Sequence, residues 1–251
     1  MKTQIAGSHL IRLDKINSTN LYALELLQNK ELPEGTLIIA REQFSGKGQN
    51  KNRWESEPGK NLTFSTIIHP TFLLPEKQFQ LNKFISLAIF DFISELIPGQ
   101  KVTIKWTNDI YINDNKAAGI LINNTIQGNS FLHSVIGIGL NINQTHFTSD
   151  AQNPVSLKMI TGKNYDLEEC LNALCLCIDN RYFQLMSGKT ENIDNEYFTH
   201  QYRLGSFCTF LYKGEKVVAK ITGFDSFGRL LLVTEKGNCL SCDQQDLKYI
   251  I

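Results

Sequence analysis

The spacing of apolar residues predicts three helices within the first 200 positions. Helical spacing begins after Ser18 and Thr19, where a hydroxyl cap is expected, and it returns over 76–97 before a Pro-Gly stop. The second of these helices has apolar residues on more than one face, so we expect it to be buried. Asp166 and Glu169 form a capping box that predicts the third helix.

Short apolar runs bounded by turn residues predict strands in the remaining sequence. These runs cover 36–40, 62–69, 102–106, 110–112, 117–122 and 133–143, and short polar turns join the last four. Such turns are typical of antiparallel strands. Runs of strands beside runs of helices, without strict alternation, favour an α+β fold.

From about Tyr202 the pattern changes to five short strands in about fifty residues, among them 208–212, 217–224, 230–234 and 239–241. A small β barrel is the structure expected of such a segment. We therefore predict two domains, a larger one over 1–199 and a small one over 202–251.

Charge and cysteine content narrow the range of functions. The chain has 25 Lys and Arg against 25 Asp and Glu, which gives no reason to expect bulk binding to nucleic acid or to a membrane. Residues 1–15 lack the apolar core of an export signal, so we expect a cytoplasmic protein with six reduced cysteines. Cys239 and Cys242 form a single C-x-x-C, but in a strand they point to opposite faces, which disfavours zinc.

The stretch 41–54 reads REQFSGKGQNKNRW and predicts a loop that holds phosphate. Gly46 and Gly48 permit a tight turn with inward N–H groups, while Lys47 and Arg53 add positive charge. Trp54 offers an apolar face for a base. A solvated hairpin has a similar composition, so the loop alone decides nothing. Its glycine spacing fits neither a Walker loop nor a Rossmann turn.

Four further polar segments accompany this loop, at 18–20, 105–109, 116–121 and 137–143. Each has a structural interpretation by itself, as a helix cap, a turn, a hairpin lysine or a close approach between backbones. Taken in order, the five segments resemble the biotin protein ligases, which activate biotin with ATP and attach it to a lysine of a carrier protein. The resemblance covers nearly the whole chain. It rests on Ser18-Thr19-Asn20, Gln43 ahead of Gly46-Lys47-Gly48 and Trp54, Lys105 to Asp109, Lys116 to Leu121, and Gly137 to Asn141.

The resemblance implies a class II synthetase-like catalytic domain, with a mixed, mostly antiparallel sheet and flanking helices, followed by a small SH3-like β barrel. It implies the short form of the enzyme, without a DNA-binding domain and without repressor function. The implied cofactors are ATP and Mg²⁺, with biotin as the substrate.

The resemblance also implies roles for individual residues. Lys116 and Lys47 would neutralise the two acids during adenylation, and Asp109 would receive the proton of the carrier lysine. The implied biotin-binding residues are Ser18, Thr19, Asn20, Gln43, Gly46, Lys47, Gly48, Gln49, Lys116, Gly119, Gly137 and Gly139. The implied nucleotide-binding residues are Lys47, Gln49, Asn52, Arg53, Trp54, Asn108, Lys116 and Asn141, with Mg²⁺ near Asn108 and Asn141. Trp54 would stack on adenine, and the biotin tail would lie against the backbone of Gly137 and Gly139.

The chain departs from the family pattern at four positions. Lys47 stands where Arg is usual, Asn50 where a second Arg is frequent, Lys51 where Gly is usual and Thr107 where Pro is usual. Because lysine lacks the bidentate fork of arginine, we expect a weaker hold on the acyl adenylate.

The implied partner is a biotin carboxyl carrier protein of acetyl-CoA carboxylase or a related carboxylase, with no nucleic acid and no membrane. The edge strands of an antiparallel sheet also offer a route to a homodimer. Two alternatives stay open at this point. One is a lipoate or octanoate ligase or transferase of the same fold, and the other is a noncatalytic protein that senses biotin or a nucleotide.

Overall fold

A computed structural model of the chain describes residues 3–49, 52–148 and 153–250. Its strands are β1 Leu10–Ile16, β2 Leu37–Gln43, β3 Leu62–Ile68, β4 Val102–Lys105, β5 Asp109–Ile112, β6 Asn115–Gln127, β7 Ser130–Leu140, β8 Cys208–Tyr212, β9 Glu215–Phe224, β10 Leu230–Thr234, β11 Cys239–Cys242 and β12 Leu247–Tyr249. Its α-helices are α1 Thr19–Asn29, α2 Phe79–Leu96, α3 Leu157–Thr161, α4 Leu167–Met186 and α5 Thr190–Thr199.

Seven strands form the main sheet, in the order β1-β2-β3-β7-β6-β5-β4. β1 and β2 run parallel, and every other neighbouring pair is antiparallel. The mixed, mostly antiparallel sheet expected from the sequence is therefore confirmed. β1 and β4 form its two edges.

Helices cover both faces of this sheet. α1 packs against β2, β3 and β7 through a small cluster that includes Ala23, Ile38, Ile67 and Val135. α2, α4 and α5 pack against one another on the opposite face, above the main core. Most residues of α2 are buried, as its two-sided apolar pattern predicts. The α+β prediction is confirmed.

The helix starts differ in part from the expectation. α1 begins at Thr19 as predicted, but Ser18 makes no capping hydrogen bond through its side chain, so the hydroxyl cap is wrong. Asp166 does cap α4, and its carboxylate accepts the N–H groups of Glu168 and Glu169 at 2.8 and 3.0 Å. A 3₁₀ turn at Pro75–Lys77 precedes α2, which therefore starts three residues later than its apolar pattern suggests.

The sequence pattern does not predict β1, α3, α5 or β12. β1 alternates exposed and half-buried residues at the edge of the sheet, so it carries few fully apolar positions. α5 starts without a capping side chain and buries only Ile193 and Tyr197. These short elements are ordered by the sheet and helices beside them and lack strong local signals of their own.

β8 to β12 form a second sheet of five antiparallel strands, in the order β11-β10-β9-β8-β12. The number of short strands expected after Tyr202 is thus confirmed, although the ranges named from the sequence correspond only to β8, β9, β10 and β11. Buried residues such as Phe210, Leu230 and Tyr249 continue the main core into this sheet. Trp106 donates its indole N–H to the carbonyl of Gly228 at 2.9 Å, which ties the β9–β10 turn to the end of β4. The domain limits at 199 and 202 stay a prediction.

The two cysteines of the C-x-x-C motif lie in β11. Cys239 is exposed and Cys242 is buried, as the strand geometry predicts. Within residues 3–49, 52–148 and 153–250, no group of three or more His, Cys, Asp or Glu residues is placed to hold a metal ion. No helix in the described part of the chain is long and apolar enough to cross a bilayer.

The buried carboxylate of Asp179 anchors the start of the chain to α4. It accepts the N–H groups of Gln4 at 2.6 Å, Ile5 at 3.2 Å and Ala6 at 2.7 Å. We expect Asp179→Ala to lower the free energy of unfolding by roughly 3 kcal/mol, because three backbone donors lose a charged acceptor. Denaturant unfolding checks this, with Asp14→Ala at an exposed side chain as the control. A loss no larger than that of the control would contradict the role.

Candidate functional site

A cavity of about 160 Å³ opens on the α1 face of the main sheet. It brings together residues from the start of α1, the 41–54 loop, the β4–β5 turn and strands β6 and β7. The expected site residues that line it are Ser18, Thr19, Asn20, Gln43, Lys47, Gly48, Gln49, Asn52, Arg53, Trp54, Asn108, Asp109, Lys116, Gly119, Gly137 and Gly139. Gly46 and Asn141 do not line it.

The floor of the cavity is a strip of strand without side chains. Gly119 of β6 pairs directly with Gly139 of β7, and Gly137 lies two residues away on the same face. A Cβ at Gly139 would overlap the indole of Trp54, and one at Gly119 would lie 3.0 Å from the indole Cζ3. The expectation that the strand backbone at Gly139 is open to a ligand tail is therefore wrong, because Trp54 covers it.

The 41–54 loop is closed by its own backbone. The N–H of Gly48 donates to the carbonyl of Asn52 at 2.8 Å, and the N–H of Trp54 donates to the carbonyl of Gly46 at 3.0 Å. The amide of Gly48 therefore does not point inward as a free donor, contrary to the expectation. Gly46 serves the turn, since a Cβ there would lie 2.6 Å from the carbonyl oxygen of Trp54. Asn50 and Lys51 lie outside the described residues.

The charged side chains that line the cavity are Lys47, Arg53, Asp109 and Lys116. Lys116 Nζ lies 2.7 Å from Asp109 Oδ1 and 5.7 Å from the centroid of the Trp54 ring. Lys47 lines the same cavity from the loop. Burial lowers the pKa of nearby Lys105, and the positive charge of Lys116 lowers it further while Asp109 opposes the change. Lys116 is thus held by an ion pair at the side of the cavity.

Neutral polar groups form the wall near α1. Gln43 Oε1 accepts the N–H of Thr19 at 2.7 Å and the Thr19 hydroxyl at 3.1 Å. Asn20 Oδ1 accepts from Asn123 Nδ2 at 2.6 Å. We refer to Ser18, Thr19, Asn20 and Gln43 as the polar wall. Its amides and hydroxyls suit a neutral group that offers both donors and acceptors.

The β4–β5 turn is held from both sides. Asn108 Nδ2 donates to the carbonyl of Ile120 at 2.5 Å, and Asn108 Oδ1 accepts the Thr107 hydroxyl at 3.0 Å. Tyr197 of α5 donates its hydroxyl to the carbonyl of Thr107 at 3.0 Å. The Trp106–Thr107 peptide is cis. The turn is therefore fixed by contacts with β6 and with α5.

The two asparagines named for Mg²⁺ do not fit a metal site. Both polar ends of the Asn108 side chain already have hydrogen-bond partners. Asn141 lies outside the cavity, and its Nδ2 donates to the carbonyl of Val155 at 3.2 Å. Its buried Oδ1 has no partner in the described part of the chain. One buried amide oxygen does not provide the several oxygen ligands that Mg²⁺ takes, so we assign no protein ligand to it.

The expected site residues did not include two polar residues at this site, nor the apolar lining residues Phe64, Ile120, Leu121 and Ile138. Gln244, from the turn between β11 and β12, lines the cavity and donates its amide to Gln49 Oε1. Ser65 of β3 lies behind the polar wall, 2.9 Å from the Thr19 hydroxyl. Neither residue stands in a recognisable motif, and only the tertiary fold brings them to the cavity.

The sequence model of the biotin/lipoate A/B protein ligase family matches residues 13–141, which include all five of the motifs named above. The chain belongs to this family. It is 32% identical to a bifunctional ligase/repressor BirA of Bacillus spizizenii over 240 residues, which cover 94% of this chain and 73% of that protein.

Two further similar proteins are also named as biotin ligases. A biotin–[acetyl-CoA-carboxylase] ligase of Paracoccus denitrificans is 30% identical over 225 residues, covering 88% of this chain and 92% of that one. The biotin protein ligase of Aquifex aeolicus, solved in complex with biotin and ATP, matches with a TM-score of 0.78 at 25% identity. That match covers 96% of this chain and 98% of the other. The resemblance to biotin protein ligases is confirmed, and with it the expectation of a ligase rather than a noncatalytic binder.

The contact between Gln244 and Gln49 joins the β11–β12 turn of the second sheet to the 41–54 loop. We expect Gln244→Ala to raise the amide hydrogen exchange rate of Gly48 and Asn52 by about fivefold, because the loop loses a side-chain anchor worth about 1 kcal/mol. Gln245→Ala is the matched control, since Gln245 is the exposed neighbour of the same type. Equal exchange in both variants would show that Gln244 does not anchor the loop.

Proposed function

We propose that this ligase activates biotin with ATP to give biotinyl-AMP and then transfers biotin to a lysine of a biotin carboxyl carrier protein. The observation that carries the proposal is the position of Lys116 and Lys47 on the same cavity as the polar wall. A neutral head group and an acid at the far end of one ligand would meet suitable partners there at the same time.

The first step joins two anions. A carboxylate oxygen of biotin attacks the α-phosphorus of ATP, and the bond from that phosphorus to the pyrophosphate oxygen breaks. The attack requires nearby positive charge because the carboxylate and the phosphates repel each other. Lys116 and Lys47 supply that charge, and Arg53 and Asn52, which line the same cavity, would contact the nucleotide.

The second step transfers the acyl group. The amine of the carrier lysine attacks the carbonyl carbon, AMP leaves, and the amine loses a proton. We propose that Asp109, which lines the cavity with its carboxylate 2.7 Å from Lys116 Nζ, accepts that proton. Its ion pair with Lys116 also fixes the direction of the ammonium group during adenylation.

The polar wall favours biotin over lipoate. The ureido ring of biotin has one carbonyl acceptor and two N–H donors, which match hydroxyl and amide partners. The dithiolane ring of lipoate has no comparable groups and would leave the buried hydrogen-bonding atoms of the wall unpaired, which costs free energy. Trp54, which covers Gly119 and Gly139, then provides the apolar face on which the adenine of ATP would stack. Any Mg²⁺ that accompanies ATP would depend on phosphate and water oxygens.

Loss of Lys116 tests the proposal directly. We expect Lys116→Ala to reduce biotin-dependent pyrophosphate release by about 100- to 1,000-fold, because a charge that stabilises the transition state is removed. Labelling of a biotin carrier domain should fall in parallel. The control is Lys101→Ala, which removes an exposed lysine away from the cavity, and thermal unfolding confirms that both variants fold.

The same assay tests the substrate. Pyrophosphate release with lipoate and not with biotin would show that the substrate is lipoate. Absence of release with either acid would contradict enzymatic activation altogether. Full activity of Lys116→Ala would remove Lys116 from the mechanism.

Lys47 is expected to set how long the adenylate stays bound. We expect Lys47→Arg to slow the release of labelled biotinyl-AMP by about three- to tenfold, since arginine adds a second charge-assisted hydrogen bond to phosphate. Rapid dilution of the loaded enzyme measures the release rate. Lys60→Arg, at an exposed turn outside the cavity, is the matched control. An unchanged rate would show that the lysine at this position does not limit retention.

A further inference from the structure

Ser65 lies behind Thr19, one of the residues that line the cavity. It lies in β3, on the strand face directed toward α1, and it is fully buried. It does not line the cavity, whereas its partner Thr19 does. Its Oγ is 2.9 Å from the Thr19 hydroxyl oxygen, and Thr19 in turn contacts Gln43.

The chemistry of the three side chains fixes the direction of the hydrogen bonds. Gln43 Oε1 is an acceptor only, and it takes both the backbone N–H of Thr19 and the Thr19 hydroxyl proton. A hydroxyl has one proton, so Thr19 has none left for Ser65. Ser65 therefore donates to Thr19, and the chain runs from Ser65 through Thr19 to Gln43.

This direction also fixes the Gln43 amide. If the amide were turned over, its N–H₂ group would face two donors of Thr19, and both bonds would be lost. With Oε1 held by Thr19, the part of the amide that remains for a ligand is its N–H₂ group. Gln43 lines the cavity, so this group offers the ligand hydrogen-bond donors and no acceptor.

We infer that Ser65 is a positioning residue that sets the specificity of the polar wall. By donating to the Thr19 hydroxyl, it directs the hydroxyl proton onto Gln43 Oε1. This bond adds to the backbone N–H of Thr19 in holding the Gln43 amide in the orientation that donates to an acceptor on the ligand head group. The inference rests on the proposed function, in which the acceptor is the carbonyl oxygen of the ureido ring. A head group that replaces this carbonyl by a protonated imine offers no acceptor and is discriminated against.

The test uses two substrates and separates binding from chemistry. We expect Ser65→Ala to raise the KM for biotin about three- to tenfold, with kcat changed by less than twofold, because the reacting carboxylate lies at the other end of the ligand. Without this hydrogen-bond relay from Ser65 through Thr19, the Thr19 hydroxyl is free to turn, and Gln43 Oε1 keeps only the backbone N–H of Thr19 as a fixed donor. The preference for biotin over its imino analogue, measured as a ratio of kcat/KM values, should therefore fall by a similar factor.

Ser134 supplies a matched control. It is a fully buried serine of β7 in the same sheet, and its hydroxyl has no hydrogen-bond partner in the described part of the chain. Ser134→Ala removes the same atom without breaking a relay, so we expect its KM and its substrate ratio to equal those of the wild type. Ser65→Cys keeps a side chain of similar size with a weak donor, and it reports on the hydrogen bond if Ser65→Ala does not fold.

Each outcome has a separate meaning. The inference is overturned if the Ser65 variants match Ser134→Ala, or if only kcat falls while the substrate ratio stays constant. The proposed function is overturned if the wild type releases no pyrophosphate with biotin and ATP. In that event, calorimetric binding of biotin and the imino analogue to the wild type and to Ser65→Ala still tests the relay, because equal affinities would overturn it.

Discussion

The site depends on a steric constraint, the lack of side chains at three strand positions on one face of the main sheet. Gly119 and Gly139 are direct partners in β6 and β7, and the Trp54 indole occupies the space that their side chains would take. At Gly137, a Cβ would lie 2.9 Å from Asn20 Nδ2. Trp54 in turn lies below the ammonium group of Lys116. A larger residue at any of these glycines would therefore displace a part of the site and not merely fill space.

The cavity separates two kinds of recognition. The polar wall at α1 consists of uncharged groups, whereas the charges come from Lys116, Asp109, Lys47 and Arg53. A ligand with a neutral head and an acidic end matches this division. In the proposed reaction, the ion pair with Asp109 holds Lys116 in place before the acid binds. The carboxylate also offsets the desolvation cost of a half-buried ammonium group.

The elements of the fold that depend on local sequence pattern could be predicted from the sequence. The buried α2, the Asp166 cap and the strands around the β4–β5 turn follow from apolar spacing and turn residues. The motif residues could be placed in one site only through their resemblance to a family. Ser65 and Gln244 could not be found in this way, since each makes its contact with a residue far along the chain.

Some local expectations failed because tertiary contacts take precedence over local patterns. Ser18 occupies the cap position of α1, yet its side chain does not cap, and the residue lines the cavity instead. Gly137 and Gly139 suggested open strand backbone, whereas the Trp54 side chain of the loop covers Gly139. These two departures both occur at the site, where functional geometry and the ordinary structural role of a residue compete.

The internal bonding of the loop determines what can hold a phosphate. Because the N–H of Gly48 is bonded to Asn52 and that of Trp54 to Gly46, these backbone groups are not available as an anion nest. In the proposed reaction, the side chains of Lys47, Asn52 and Arg53, which line the cavity, are then the groups of the loop that would bind phosphate. Side chains on a loop hold a ligand only as firmly as the loop itself is held. Since Gln49 of this loop is bonded to Gln244, retention of the nucleotide in the proposed reaction depends on the second sheet as well as on the first.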